Sequence, residues 1–291
     1  MIWTMGVVAG AGQGVAARPA HAATPTQPAP TVNATSTPPA LRLYVFDCGR
    51  LARANAQRLT ARGVTATDMS VSAYLIVHPR GALLWDSCVI QDERIQAGGT
   101  TEGRATAKKT LLGQLAEIGY APADIRYLVL SHSHFDHSAN ANAFAGSTWL
   151  VQRAEREFMF PQKPPSEPLP GAERFSALRV SRTLLLDGDY DVFHDGSVMI
   201  LATPGHTPGH QSLLVRLPRT GPVVLSGDLY HYPAERTQPD LLPPARFSDP
   251  AAEAASRARI EALLKAENAT LWIAHDVLQD ATIGKSPAFH D

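Results

Sequence analysis

The sequence predicts an α/β sandwich, two β-sheets packed face to face between layers of helix. Three observations carry the prediction. The 291 residues are 44% apolar and 18% charged, which suits a folded core and excludes a wholly disordered chain. Short β-like runs fall into two groups, and each group is followed by helical periodicity. No internal repeat of fixed period is visible, which leaves no case for a repeat architecture.

The elements follow in order. Leu41–Phe46 and Met69–Val77 are β-like, and Ala82–Asp86 returns after the turn Pro79-Arg80-Gly81 as the second arm of a hairpin. Residues 104–118 place Leu111, Leu112, Leu115 and Ile118 on one face, predicting an amphipathic helix that ends at Gly119. Arg126–Leu130 is a short apolar strand that runs into Ser131-His132-Ser133-His134, and Ser138–Phe144 reads as the helix beyond. Thr148–Val151 is a strand and Ala154–Phe160 a helix stopped by Pro161. Five prolines in residues 161–170 predict an irregular surface excursion. Thr183–Leu186, Ser197–Thr203, Ser212–Leu217 and Pro222–Leu225 form the second group of strands. Ala251–Leu264 is helical, and Thr270–Ala274 is the last strand, ending at His275.

Ahead of this domain (residues 41–291) lie two segments of different character. Val7–Ala17 is small and weakly apolar, and Ala20-His21-Ala22 has the A-x-A pattern of a signal-peptidase site. Residues 1–22 are therefore expected to be an export signal, although no basic residue precedes Arg18, and the protein periplasmic or secreted. If they are not a signal, it is cytoplasmic. Residues 23–40 hold five prolines and no charge, the composition of an extended tether.

Charge excludes some partners. Lys+Arg total 26 against Asp+Glu 27, a net charge of -1, so nothing draws the chain to nucleic acid or an anionic membrane. No apolar run reaches the ~18 residues of a transmembrane helix. Two cysteines exclude a disulfide scaffold and a Cys-based zinc finger. Cys48 and Cys88 are expected to be free buried thiols, with a disulfide the alternative in an exported protein.

The eleven histidines carry the chemistry. His132-Ser133-His134-Phe135-Asp136-His137 puts four candidate ligands in six residues directly after a strand. His132 and His134, two apart on extended backbone, point to one side. His206 in Thr203-Pro-Gly-His, Asp228 in Ser226-Gly-Asp, and His275 in Ala274-His-Asp each follow another strand. Imidazole and carboxylate suit Zn²⁺ and, less selectively, other divalent transition metals. Seven ligands exceed one tetrahedral ion and match a pair of ions sharing a carboxylate. Spacing alone does not assign ligands to ions.

H-x-H-x-D-H, the later Pro-Gly-His, Ser-Gly-Asp and the strand-end His together resemble the metallo-β-lactamase superfamily, from about Leu41 to His275. The resemblance implies an αββα sandwich with two zinc ions at one edge of the sheets. It implies that His132, His134 and His206 hold one ion, that Asp136, His137 and His275 hold the other, and that Asp228 bridges. Asp86 matches a strand-end Asp that supports a ligand, with a turn-capping role as the alternative. His210 then stands outside the ligand set, and His78 and His194, beside turn residues, are expected to be solvated. Within the superfamily, Thr203-Pro-Gly-His-Thr-Pro-Gly-His-Gln211-Ser-Leu and Leu43-Tyr-Val-Phe-Asp-Cys-Gly49 look most like N-acyl-homoserine lactone lactonases. That implies a quorum-quenching hydrolase whose partner is a small-molecule lactone or ester. On that reading a hydroxide shared by the ions would attack the carbonyl and Asp136 would accept the proton. Alternatives are a thioesterase of the glyoxalase II kind, a phosphodiesterase, or a non-catalytic zinc module, which would need only four ligands. Several lactonases carry a substrate-facing Tyr three residues after the bridging Asp. Here that position is His231, between Tyr230 and Tyr232. His231 is expected to replace the tyrosine as donor to the developing oxyanion, with Tyr230 the second candidate. Oligomeric state stays open, a homodimer included.

Overall fold

The computed structural model describes residues 40–53, 56–163 and 169–291. The predicted export signal and the tether lie outside the described residues, apart from Ala40, as do residues 164–168 of the proline-rich excursion.

The first sheet contains β1 (Arg42–Leu51), β2 (Met69–His78), β3 (Gly81–Trp85), β4 (Thr100–Glu102), β5 (Ala105–Ala107), β6 (Ile125–Val129), β7 (Thr148–Gln152) and β8 (Thr183–Leu186). The second contains β9 (Tyr190–Asp191), β10 (Val198–Ala202), β11 (Gln211–Leu217), β12 (Gly221–Leu225) and β13 (Thr270–Trp272). A last strand, β14 (Phe289–His290), returns to pair with the start of β1. The sheet orders are β4-β5-β1-β2-β3-β6-β7-β8 and β13-β12-β11-β10-β9. β3, β6, β7 and β8 run parallel, as do β12 and β13, so several strands end on the same edge.

Alternation along the strands sorts side chains into three apolar layers. Leu43 and Val45 of β1, with Ile76 and Leu83, meet Leu213, Val215 and Val223 of the second sheet, and this inter-sheet layer is closed to solvent. Tyr44 and Phe46, on the opposite face of β1, join Leu111, Leu115, Phe144 and Trp149 in an outer layer. Leu214 and Val224, facing away from the first sheet, pack under Ile260 and Leu264 of the long helix Pro250–Glu267. Helix, sheet, sheet and helix follow in that order, the αββα sandwich expected.

Two predicted helices are shorter than expected. Of residues 104–118 only Leu111–Glu117 is helical. Before it, β4 and β5 make a hairpin whose turn holds Gly103 and Arg104, and β5 pairs with Arg50 and Leu51 of β1. Ala105 and Ala107 are buried while Thr106 faces out, a period of two that the leucines downstream overshadow. The helix starts where Thr110 accepts the Gly113 N–H at 3.1 Å and Asp92 accepts those of Leu111 and Leu112 at 2.8 and 2.7 Å. Predicted Ser138–Phe144 is likewise one turn of helix, Phe135–Ser138, and a separate 3-10 turn, Ala141–Phe144. They break at Asn140, whose amide donates to Ser87 O and Ile90 O.

Two further expectations are corrected. Cys48 and Cys88 form a disulfide, because β1 and the loop after β3 are brought side by side across β2. His78 is buried rather than solvated. Its ring stacks on Phe193 at 4.0 Å and its Nε2 lies 2.9 Å from an Asp195 carboxylate oxygen. His194 is exposed as expected.

Candidate metal centre

Loops leaving strand ends on one edge of the sandwich carry the predicted ligands. The end of β6 delivers His132, His134, Asp136 and His137, and the ends of β10, β12 and β13 deliver His206, Asp228 and His275. Local backbone demands explain the glycines beside two of them. Gly227 has φ +54°, and a Cβ there would stand 2.6 Å from His210 Nε2. Gly205 has φ +141° and lies against the Glu253 backbone, leaving no room for a side chain.

The seven side chains form two groups around Asp228. His134 Nδ1 lies 2.9 Å from His132 Nε2 and 3.0 Å from His206 Nε2, and Asp228 Oδ2 is 3.2 Å from His206 Nε2 and 3.7 Å from His132 Nε2. On the other side, Asp228 Oδ1 is 3.0 Å from His137 Nε2 and 2.9 Å from His275 Nε2, and Asp136 Oδ2 is 3.6 Å from His275 Nε2. Asp228 thus faces both groups, one oxygen toward each. Buried His137 Nε2, His275 Nε2 and Asp228 Oδ1 make no hydrogen bond among the described residues, although burying such atoms unsatisfied is costly. Imidazole nitrogens and carboxylate oxygens that converge in this way fit a divalent cation, and the two groups offer two candidate positions.

A second ring of contacts orients these groups. Asp86 accepts from Ser131 N–H at 2.6 Å and lies 2.8 Å from His137 Nδ1, which fixes that ring to present Nε2. His275 Nδ1 donates to Ser70 O at 2.8 Å. His210 takes no place among the ligand groups: its Nε2 accepts the Asp228 N–H at 2.9 Å, and its Nδ1 faces Thr203 O at 3.0 Å.

The electrostatics follow from burial and from Asp228. Burial lowers His206 to about 4 and His210 to about 3, and holds His132 well below the usual imidazole range, so these rings are neutral. Burial works against the Asp228 charge, yet His275, His137, His231 and His132 around it hold its carboxyl well below the carboxylate range. His137 is driven well above its usual value: burial opposes its charge, and Asp228 and Asp86 outweigh it.

The segment after Asp228 separates the remaining candidates. His231 is buried, its Nε2 3.3 Å from Asp228 Oδ2, and it lines a cavity of about 460 Å³ together with His134, Asp136, Asp228 and His275. Tyr230 points the other way: its hydroxyl donates to Glu261 at 3.0 Å on the long helix, so it does not reach the cavity. Tyr232 also turns away and donates to Thr67 O at 2.7 Å. Extended backbone at Tyr230 and Tyr232 makes this alternation obligatory.

Sequence reasoning missed the acids behind the site. Buried Glu155 accepts from Ser133 N–H at 2.9 Å and Gly209 N–H at 3.0 Å, pinning the His132–His134 loop to the Pro-Gly-His loop. Buried Glu235 accepts both the His231 and Tyr232 N–H groups and is held by Arg257 at 2.6 Å. Each acts on partners far off in sequence or on backbone N–H groups, and neither leaves a spacing signal.

Comparison with known proteins agrees with this geometry. A sequence model of the metallo-beta-lactamase superfamily matches residues 66–275. An N-acyl homoserine lactonase from Bacillus sp is 31% identical over 228 residues, 73% of this chain and 84% of that protein. The N-acyl homoserine lactonase AttM of Azorhizobium caulinodans is 28% identical over 269 residues, 86% of this chain and 99% of that protein. A solved N-acyl homoserine lactone hydrolase with N-hexanoyl-L-homoserine at its catalytic metal center superposes with a TM-score of 0.68 at 27% identity, covering 85% of this chain and 98% of that one.

Proposed function

This chain belongs to the metallo-beta-lactamase superfamily of metal-dependent hydrolases, and on that premise we propose that it opens N-acyl homoserine lactones at a pair of zinc ions. The observation that carries the proposal is the convergence of six side chains around Asp228, with His134, Asp136, Asp228 and His275 lining one cavity, in a chain whose relatives are lactonases. His132, His134 and His206 would hold one ion and Asp136, His137 and His275 the other, with Asp228 shared. When bound, the pair supplies a Lewis acid for the carbonyl and a water activated as nucleophile near neutral pH.

The chain's own groups do the rest. Asp136, in the cavity wall, accepts the proton as the tetrahedral carbon collapses. His231 directs an imidazole N–H at the developing oxyanion. In the metal-free chain burial opposes its charge, while Asp228 and Glu235 raise it to about 9. The leaving alkoxide stays tethered to the acyl group and takes the proton back from Asp136, so the product is a hydroxy acid.

We also assign the protein to an oxidising compartment, periplasmic or extracellular. The Cys48–Cys88 disulfide supports this, since such bonds persist outside the reducing cytoplasm.

A hydrolysis panel on the zinc-loaded protein tests the reading: N-hexanoyl homoserine lactone, S-lactoylglutathione, bis-p-nitrophenyl phosphate and nitrocefin. The lactone should have the highest kcat/KM. A higher value on the thioester or the phosphodiester would replace this reading with that one.

A further inference from the structure

We infer that the substrate carries a negatively charged group remote from the bond that is cut, held by Arg53, Arg104 and Arg246 at the mouth of the cavity. The inference rests on the lactone reading above and names the class of lactone.

The three arginines come from three separate segments: the chain after β1, the β4–β5 turn, and the loop before the long helix. All three line the same cavity as Asp228 and His231. Arg104 and Arg246 are exposed, which places them at the opening, while Arg53 is half-buried. Among the described residues none of the three forms an ion pair with a carboxylate. Elsewhere arginines are engaged in that way: Arg153 with Asp187, Arg236 with Glu261, and Arg257 with Glu235 and Glu253. Arg104 instead reaches Ala52 O at 3.4 Å, and Arg246 stands 3.4 Å from His231 Nε2.

Bringing three cations together costs free energy. Burial works against the cation of Arg53 and the charges of Arg246 and Arg104 add to this, while Tyr232 and Glu235 favour it. The cavity's own carboxylates do not relieve this, because Asp136 and Asp228 face imidazoles at 3.6 Å and 2.9 Å. A neutral acyl chain would leave the crowding in place. An anion would relieve it, and a guanidinium fork matches the oxygens of a carboxylate or a phosphate. Leu51, Met69 and Phe135, in the same wall, offer apolar contact for the hydrocarbon between the ring and the anion.

The test compares matched substrates on the zinc-loaded enzyme: adipoyl homoserine lactone with a free carboxylate, its neutral methyl ester, and a phosphonate-terminated analogue. The carboxylate or the phosphonate should exceed the ester in kcat/KM by at least about tenfold, and salt from about 50 to 500 mM should erode the preference. Whichever anion is preferred identifies the group. In Arg104→Gln/Arg246→Gln and in Arg53→Gln the anion-to-ester ratio should fall toward unity. A second readout needs no turnover: the ring-opened dicarboxylate, titrated calorimetrically, should bind the double variant at least about tenfold more weakly. An ester hydrolysed as well as the acid, with the ratio unmoved by the substitutions, overturns the inference and leaves the lactonase reading standing. If no lactone is turned over but the dicarboxylate still binds through the arginines, the lactonase reading falls and the anion site stands.

Discussion

His231 stands three residues after Asp228 and reaches the cavity, while Tyr230 on its left and Tyr232 on its right are turned to other partners. Losing one oxyanion donor typically costs ~2.7–4 kcal/mol, or about 10²–10³ in rate. His231→Ala should lower kcat on the best lactone by that factor while elemental analysis still finds both metals. Tyr230→Phe should change kcat by less than about threefold, since its hydroxyl serves Glu261; a larger loss would reinstate Tyr230. Asp228→Ala should reduce metal content from about two ions per chain to well below one, because one Asp228 oxygen faces each group. His210 tests the burial argument. Its value of about 3 lies below the unfolded imidazole's 6.5, so the stability it contributes is present above pH 6.5 and is lost as pH falls toward 3. In metal-stripped protein, stability relative to His210→Gln should fall by on the order of 3 kcal/mol between pH 7 and pH 4. A pH-independent difference would contradict a neutral buried ring.

The loops between elements hold the site, and their strength rests on few groups. Glu155 joins the β6–helix loop to the loop after β10 through two backbone N–H groups. Glu155→Ala leaves both donors unpaired and should cost about 1–3 kcal/mol of stability, with weaker metal retention. Thermal unfolding with and without chelator separates the two effects. Strands were legible where alternation or an apolar run was bounded by turn residues, as in Thr183–Leu186, which the structure reproduces. Legibility failed at the short hairpin strands β4 and β5. Ala105-Thr106-Ala107 has too few positions to show a period, and the leucine face that follows extends the helical pattern over it. The ligand positions were readable because each follows a strand end and falls within a short motif. Arg53, Arg104 and Arg246 were not: they come together only when the hairpin folds against β1.

At the scale of the whole molecule, the inter-sheet layer fixes the edge on which the strand ends meet, and the disulfide ties β1 to the loop after β3. The Cys48–Cys88 bond closes a 40-residue separation in sequence, and its loss should cost about 2–4 kcal/mol. Comparing Cys48→Ala/Cys88→Ala with the wild type in urea unfolding reads this directly. The sandwich itself followed from two groups of strands and their helices. The disulfide did not, because two thiols far apart in sequence become neighbours only through the order β1-β2-β3. The central claim is a lactonase that works with two ions sharing Asp228. Its most direct test is a zinc titration of metal-stripped protein against ring opening of N-hexanoyl homoserine lactone, followed by proton release. The account predicts activity that rises and reaches its plateau at about two equivalents per chain. A plateau at one equivalent, or full ring opening without zinc, would contradict it.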